Sequence, residues 1–208
     1  RMSRGMRSTF ADVTAHALRD FHAARVGEPQ WLKSATPLHA VGVWHWIEAN
    51  HRCNSLLWDE EDLARRVDVG DAGIAANKRA IDGYNQKRND AIERIDEALL
   101  ARIEAVTPLA RAWHNSETAG AMIDRLSILA LRTFHMGREA NRDDAADAQR
   151  VSWRDRLARL MVQRNDLERC LDTLLAEAAA GRAFWKVYRQ FKMYNDADLN
   201  PYLRGRPR

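Results

Sequence analysis

Two long stretches of the chain contain no proline. The five prolines stand at positions 29, 37, 108, 201 and 207, so residues 38–107 and 109–200 lack them, and glycine is sparse in both stretches. Proline and glycine are the residues that most strongly disfavour a helix interior. No segment alternates polar and apolar residues over the length of a strand. The sequence therefore predicts an all-α fold, a multi-helix bundle with long antiparallel helices.

Apolar residues at helical spacing divide the chain into six predicted helices. Thr107-Pro108 predicts a cap followed by proline at the first helical position, and Ser152 to Asp155 resembles a capping box. The helix over 117–139 is apolar on nearly every side, so we expect it to be central and buried. The predicted helices cover residues 9–25, 39–67, 72–106, 117–139, 152–181 and 183–194.

Loop signals and charge suggest three parts of the chain. Gly27, Pro29 and Pro37 mark a loop after the first helix. We predict an N-terminal helix and loop over residues 1–37, a helical bundle domain over 38–203 and a basic tail over 204–208.

The positive charge of the chain resides at its two ends. Lysine and arginine number 33 against 29 acidic residues, a net charge of +4. Without the six arginines at positions 1, 4, 7, 204, 206 and 208, the body holds 27 basic and 29 acidic residues, a net charge of −2. A nucleic-acid groove needs a basic face, so nucleic-acid binding ranks last among the functions considered.

The sequence predicts a cytoplasmic protein that does not enter a membrane. The longest run without charge, residues 34–47, is shorter than the ~18 apolar residues of a membrane span. Residues 1–10 lack the apolar segment of a secretory signal. Cys53 and Cys170 have no C-x-x-C partner, and we expect both to be buried thiols.

Polar residues lie beside or within the apolar stripes of several predicted helices. Inside a bundle such groups must be paired, because an unpaired buried ion costs several kcal/mol. One hypothesis is a connected ion-pair network around a cavity that binds a small polar ligand. The alternative is a solvated face, or ion pairs with only a structural role. The network would join Arg65, Lys78, Arg88, Arg125 and Arg164 to Asp62, Asp82, Glu93 and Asp124. The candidate ligand-binding residues are His51, Asn54, Trp58, Asp62, Arg65, Lys78, Asp82, Asn85, Asn89, Glu93, Asp124, Arg125 and His135.

Known catalytic and cofactor motifs are absent from the sequence. Glu48 and His51 form one E-x-x-H, but a di-iron bundle needs a second copy, so we predict no metal site. There is no nucleophile elbow, phosphate loop or dinucleotide fingerprint. The cofactor therefore stays unknown, and whether the chain is an enzyme stays open. An enzyme would need a group that titrates near pH 7, for which His51, His135 and Glu93 are the candidates.

Four segments together resemble a bacterial family known as domain of unknown function 4254. They run from His51 to Arg65, from Lys78 to Asp96, from Glu117 to Met136 and from Gln190 to Pro201. Within them stand Asn85-Gln86-x-Arg88-Asn89-Asp90, Met122-Ile123-Asp124-Arg125-Leu126-Ser127 and Gln190-Phe191-Lys192-Met193-Tyr194-Asn195-Asp196. The resemblance covers about Trp44 to Tyr202. It implies an all-helical cytoplasmic protein and, through neighbouring glycosyltransferase genes, a role in surface-glycan assembly.

Two functions from different classes remain open at this point. The first is binding of a small polar or anionic ligand, such as a sugar or sugar nucleotide, in a pocket between helices. The second is a scaffold or homo-oligomer that uses aromatic residues near both ends as contacts. Those aromatics are Trp44, Trp46, Trp185, Tyr188, Phe191 and Tyr194, and ordinary core packing is the favoured explanation for them.

Overall fold

The computed structural model describes residues 9–190, 193 and 196–203. It confirms an all-α bundle. The helices are α1 (Ala15–Arg25), α2 (Pro29–Lys33), α3 (Gly42–Leu63), α4 (Asp71–Ala101), α5 (Ala119–Ala140) and α6 (Asp147–Ala179). Two short strands, β1 (Trp113–His114) and β2 (Ala183–Phe184), pair in parallel, with Trp113 opposite Ala183.

Two antiparallel helix pairs form the body of the bundle. In the first pair, Asn77 of α4 donates to Glu60 near the end of α3, while Arg94 of α4 lies over the Trp46 ring near its start. In the second pair, α5 and α6 are joined by a short connection. Helix α5 also contacts α1, α3 and α4, and Ile123 and Leu126 are buried among them. The predicted central position of this helix is confirmed.

Several predicted helix boundaries are wrong because local capping decides them. Helix α1 begins at Ala15, where the Thr14 hydroxyl accepts from the Ala17 N–H at 3.1 Å. Helices α3 and α4 are shorter than predicted and end at Leu63 and Ala101. Helix α6 begins at Asp147, so the capping box predicted at Ser152 lies inside the helix. The five-residue α2 was not predicted.

The predicted helix starts at Thr107-Pro108 and at Ala183 are also wrong. The first lies in a segment that contains β1 and leads to α5, whose N-cap is Thr118. Gly181 has a positive φ of 71° and ends α6 by turning the chain. Its carbonyl accepts from the Leu109 N–H at 2.8 Å, and β2 then pairs with β1. Phe191 and Tyr194 of the predicted last helix lie outside the described residues.

Burial corrects two further predictions. Cys53 is buried as predicted, but Cys170 is exposed on α6. Trp185 is 3% exposed and belongs to the core, so it offers no contact surface to a partner. Over the described range, every helix is either too short or too polar to pass through a lipid bilayer.

Helices α4 and α5 are in close contact at Gly120. A Cβ atom on Gly120 would lie 2.5 Å from the Ile92 carbonyl oxygen and 2.8 Å from a carboxylate oxygen of Asp96. The Gly120 N–H donates to Asp96 at 2.8 Å. Only glycine allows this contact between a helix start and the neighbouring backbone.

Gly120→Ala should therefore destabilise the protein by about 1–3 kcal/mol, the usual cost of overpacking. Urea unfolding measures the change. Gly83→Ala is the matched control, since Gly83 also lies in a helix with no atom within 4 Å of the added Cβ. That control should be neutral or stabilise by up to ~1 kcal/mol. Equal stability of the two variants would contradict the close approach.

Candidate functional site

A buried carboxylate joins three helices near the middle of the bundle. Asp124 of α5 is 3% exposed. The Arg88 guanidinium of α4 donates to both of its oxygens, at 2.8 and 2.5 Å. The amides of Asn50 and Asn54 on α3 donate to Oδ1 at 2.8 and 3.0 Å. These bonds offset the desolvation of the ion.

The same hydrogen-bonded group extends to a buried histidine. The Asn54 amide also donates to the Ser127 hydroxyl at 3.0 Å, and His51 Nδ1 lies 2.7 Å from that hydroxyl. We call Asn50, His51, Asn54, Arg88, Asp124 and Ser127 the polar cluster. Apart from Arg88, all its members are buried.

Two buried imidazoles connect the polar cluster to α1. The His22 and His51 rings have centroids 4.6 Å apart, and the Trp31 ring stacks on His51 at 5.5 Å. Nε2 of each histidine is buried without a hydrogen-bond partner. Burial lowers the pKa of His51 to about 4 and holds the pKa of His22 well below its ordinary value. Both rings are therefore neutral at pH 7.

A cavity of about 190 Å³ lies on the α1 side of this histidine pair. We call it the Arg164 cavity. Its walls come from α1 with the turn after it, from α5 and from α6. The apolar part of the lining is Ala23, Val26, Leu126, Ala130 and Phe134, and the polar part is Arg19, His22, Thr133, Arg164 and Glu168.

The Arg164 cavity holds two arginines and one glutamate. Arg19 donates from Nε and Nη2 to the Glu168 carboxylate, the Nε contact measuring 2.9 Å. Arg164 Nε is 3.7 Å from the same carboxylate and is buried without a hydrogen-bond partner. Burial, and secondarily the nearby Arg19 charge, lower the pKa of Arg164. The cavity therefore carries one excess positive charge and an unsatisfied donor.

Glu48 and His51 do not form a shared metal site. The Glu48 carboxylate accepts from Trp31 Nε1 and from the Leu38 and His39 N–H groups, each at 3.0 Å. His51 contacts Ser127 instead. Across residues 9–190, 193 and 196–203, no three histidine, cysteine or carboxylate groups lie close enough to hold a metal ion. Glu48 therefore anchors the loop before α3.

The structure brings together three of the predicted ligand-binding residues: His51, Asn54 and Asp124 belong to the polar cluster. It does not form the predicted connected network. Lys78 and Asp82 form an exposed i,i+4 pair, and Arg65 and Arg125 pair with Glu61 and Glu117. Glu93 accepts from the Gln190 N–H at 2.9 Å and pairs with Arg189.

The remaining predicted residues lie apart from the polar cluster on α3, α4 and α5. Trp58 and His135 stack face to face, with centroids 4.3 Å apart and planes 8° apart. Burial, and secondarily the Arg138 charge, lower the pKa of His135. Asn85 and Asn89 are half-buried on α4, and Asp62 is exposed near the end of α3. None of these residues lines the Arg164 cavity.

Sequence reasoning missed Arg19, His22 and Glu168, which lie on helices distant in sequence. Arg164 alone gave a signal, because it interrupts the leucine stripe of α6. His22 follows the apolar Phe21 and Leu18 on α1, a position from which a core histidine could have been suspected.

Removal of the buried carboxylate of Asp124 should lower the free energy of unfolding far more than removal of an exposed carboxylate. Asp124→Ala leaves Arg88 without its counter-charge, so we expect a loss of about 3–5 kcal/mol in the free energy of unfolding. Asp82→Ala, which removes an exposed partner of Lys78, should change it by less than ~0.5 kcal/mol. Chemical denaturation of both variants compares the two. A loss of less than about 1 kcal/mol in Asp124→Ala would rule out a dominant role for this ion.

Acid should destabilise the protein through His51. The unfolded histidine takes up a proton near pH 6.5 and the folded one only near pH 4. Between these values the unfolded state binds more protons, so stability falls as pH falls, by up to ~1.4 kcal/mol per pH unit. His51→Gln should lose less stability than the wild type between pH 7 and pH 5.

His16→Gln is the control for that measurement, because His16 is an exposed histidine of α1. The His16→Gln variant should lose as much stability between pH 7 and pH 5 as the wild type does. Burial raises the pKa of Asp96 to about 6 and opposes the histidine effect, but it acts equally in all three proteins. An identical loss in His51→Gln and the wild type would contradict the buried neutral imidazole.

Comparison with known proteins gives one match. No curated protein and no solved structure matches the chain. The model of a family described as a protein of unknown function, DUF4254, matches residues 44–187. This range contains the whole polar cluster, Arg164 and Glu168, whereas Arg19 and His22 precede it. Because the match covers more than half of the residues, the chain belongs to the DUF4254 family.

Proposed function

We propose that this protein binds a small anion in the Arg164 cavity. The observation that carries the proposal is the state of Arg164, whose Nε is buried without a hydrogen-bond partner beside a carboxylate that Arg19 already occupies. A buried donor without a partner costs about 1–3 kcal/mol or more. A bound anion would satisfy that donor and neutralise the excess charge.

In this proposal the polar cluster holds part of the cavity wall in place. His51, held by Ser127, packs against the ring of His22, which forms part of the cavity lining. We propose that His51, Asn54 and Asp124 are positioning residues that fix His22 and α5. In this role they act on the ligand only through the residues that they hold in place.

The cavity volume narrows the predicted ligand classes. Pockets for drug-sized ligands measure about 300–1,000 Å³, and the Arg164 cavity, which is partly open to solvent, measures about 190 Å³, so its volume favours a ligand smaller than a sugar nucleotide. A role in surface-glycan assembly would therefore require a smaller ligand at this site. The proposal concerns binding and assigns no reaction.

Thermal unfolding in a series of sodium salts tests anion binding. The series contains chloride, nitrate, phosphate, acetate and benzoate at one ionic strength, with gluconate as a bulky reference anion. An anion at ten times its Kd adds about 1.4 kcal/mol of stability, which raises the Tm by about 3–5 °C for a chain of this size. We expect at least one of the five anions to do so.

Arg164→Gln should abolish that rise, and Arg159→Gln should keep it, because Arg159 is exposed on the same helix outside the cavity. If no anion raises the Tm of the wild type above its value in gluconate, or if Arg164→Gln responds like the wild type, the proposed function is wrong.

A further inference from the structure

We infer that the ligand is a compact monocarboxylate with an apolar body, of about the size of benzoate. This inference rests on the proposed function and names its ligand class. Three features of the Arg164 cavity carry it: the number of charges, the mostly apolar contribution of α5 to the lining, and the volume.

The charges of the cavity call for one negative charge. Arg19 makes two contacts with Glu168, and Arg164 Nε lies 3.7 Å from the same carboxylate, so two cations share one anion. His22 adds no charge at pH 7, because burial keeps its pKa well below the ordinary value. A monoanion therefore neutralises the site, whereas a dianion such as phosphate would leave one negative charge desolvated. A planar carboxylate also matches the geometry of a guanidinium.

The charged groups of the lining come from α1 and α6, whereas α5 contributes mostly apolar groups, with Thr133 as its polar member. Ala23 and Val26 extend the apolar lining to α1 and the turn after it. Arg19, Arg164 and Glu168 project from α1 and α6, and Leu126 and Ala130 lie on the facing side of α5. Phe134, one turn further along α5, lies against Gly27, where a Cβ would be 2.5 Å from its ring. A ligand with one charged end and an apolar body would satisfy both parts of the lining. A hydroxyl-rich ligand would leave its hydroxyls unpaired against the apolar wall.

The volume sets the size of the apolar body. An apolar protein cavity of about 150 Å³ accepts benzene. The Arg164 cavity measures about 190 Å³, which leaves room for a six-carbon ring or a short branched chain together with a carboxylate.

Isothermal titration calorimetry on the full chain at pH 7 tests the ligand class. The probes are benzoate, isovalerate, acetate, chloride, phosphate and the uncharged analogue benzamide. We expect benzoate or isovalerate to bind at least tenfold more tightly than acetate, chloride and phosphate. Benzamide should bind at least tenfold more weakly than benzoate, since a hydrogen bond to a charged group is worth about that factor or more.

Two pairs of variants separate the charged end from the apolar body. Arg164→Gln should weaken benzoate binding at least tenfold, and Arg159→Gln should not. Ala130→Leu fills the apolar side and should weaken benzoate at least tenfold while leaving any binding of acetate unchanged. Ala158→Leu, an exposed position on α6, is its control.

Different outcomes overturn the inferred ligand class alone or the proposed function as well. If chloride, phosphate or acetate binds as tightly as benzoate and isovalerate, or if Ala130→Leu leaves benzoate binding unchanged, the inferred ligand class is wrong while anion binding stands. If benzamide binds as tightly as benzoate, the inference that the ligand needs a charged carboxylate is wrong. If no probe binds the wild type, both the ligand class and the proposed function are wrong.

Discussion

The buried carboxylate of Asp124 requires hydrogen-bond donors from other helices to offset its loss of hydration. Its oxygens accept from Arg88 on α4 and from Asn50 and Asn54 on α3. These directional bonds fix the rotation of three helices about their axes, which apolar contacts alone specify less strictly. The close contact of Gly120 with Ile92 and Asp96 then fixes the distance between α4 and α5.

The remaining features of the site follow from this fixed core. Ser127 lies one turn after Asp124 on α5 and reaches Asn54 and His51. His51 in turn supports the ring of His22 on α1. Beyond His22, helices α1, α5 and α6 form a cavity in which two arginines share one carboxylate. Apart from His51 Nε2, the polar atoms of the cluster bond to one another, whereas the cavity combines an unpartnered guanidinium N–H with open volume and one excess positive charge. This combination separates structural support from a binding site.

The all-α fold could be predicted from local features of the sequence, but several helix ends could not. Proline-free stretches and helical periodicity are properties of the sequence alone, and they identified α3 to α6. The stop at Gly181 was visible, but the pairing of Ala183 with Trp113 depends on residues seventy positions apart, which no local propensity encodes. A helix predicted over residues 183–194 therefore gives way to a short strand and an extended segment within the described residues.

Part of the site was also predictable, for a physical reason. Asp124 stands on a helix with little polar surface, so its burial and its need for an arginine followed from the sequence. Lys78 and Asp82 lie four residues apart on one face of α4, and the sequence suggested that this face is buried. In the structure they pair in solvent. Helical spacing shows which residues share a face, but it does not show whether another helix covers that face. By itself the sequence determined the fold class and the need to pair Asp124. Only the tertiary structure decided that Arg19, His22, Arg164 and Glu168 meet around one cavity, since their encounter depends on how α1 and α6 pack across α5.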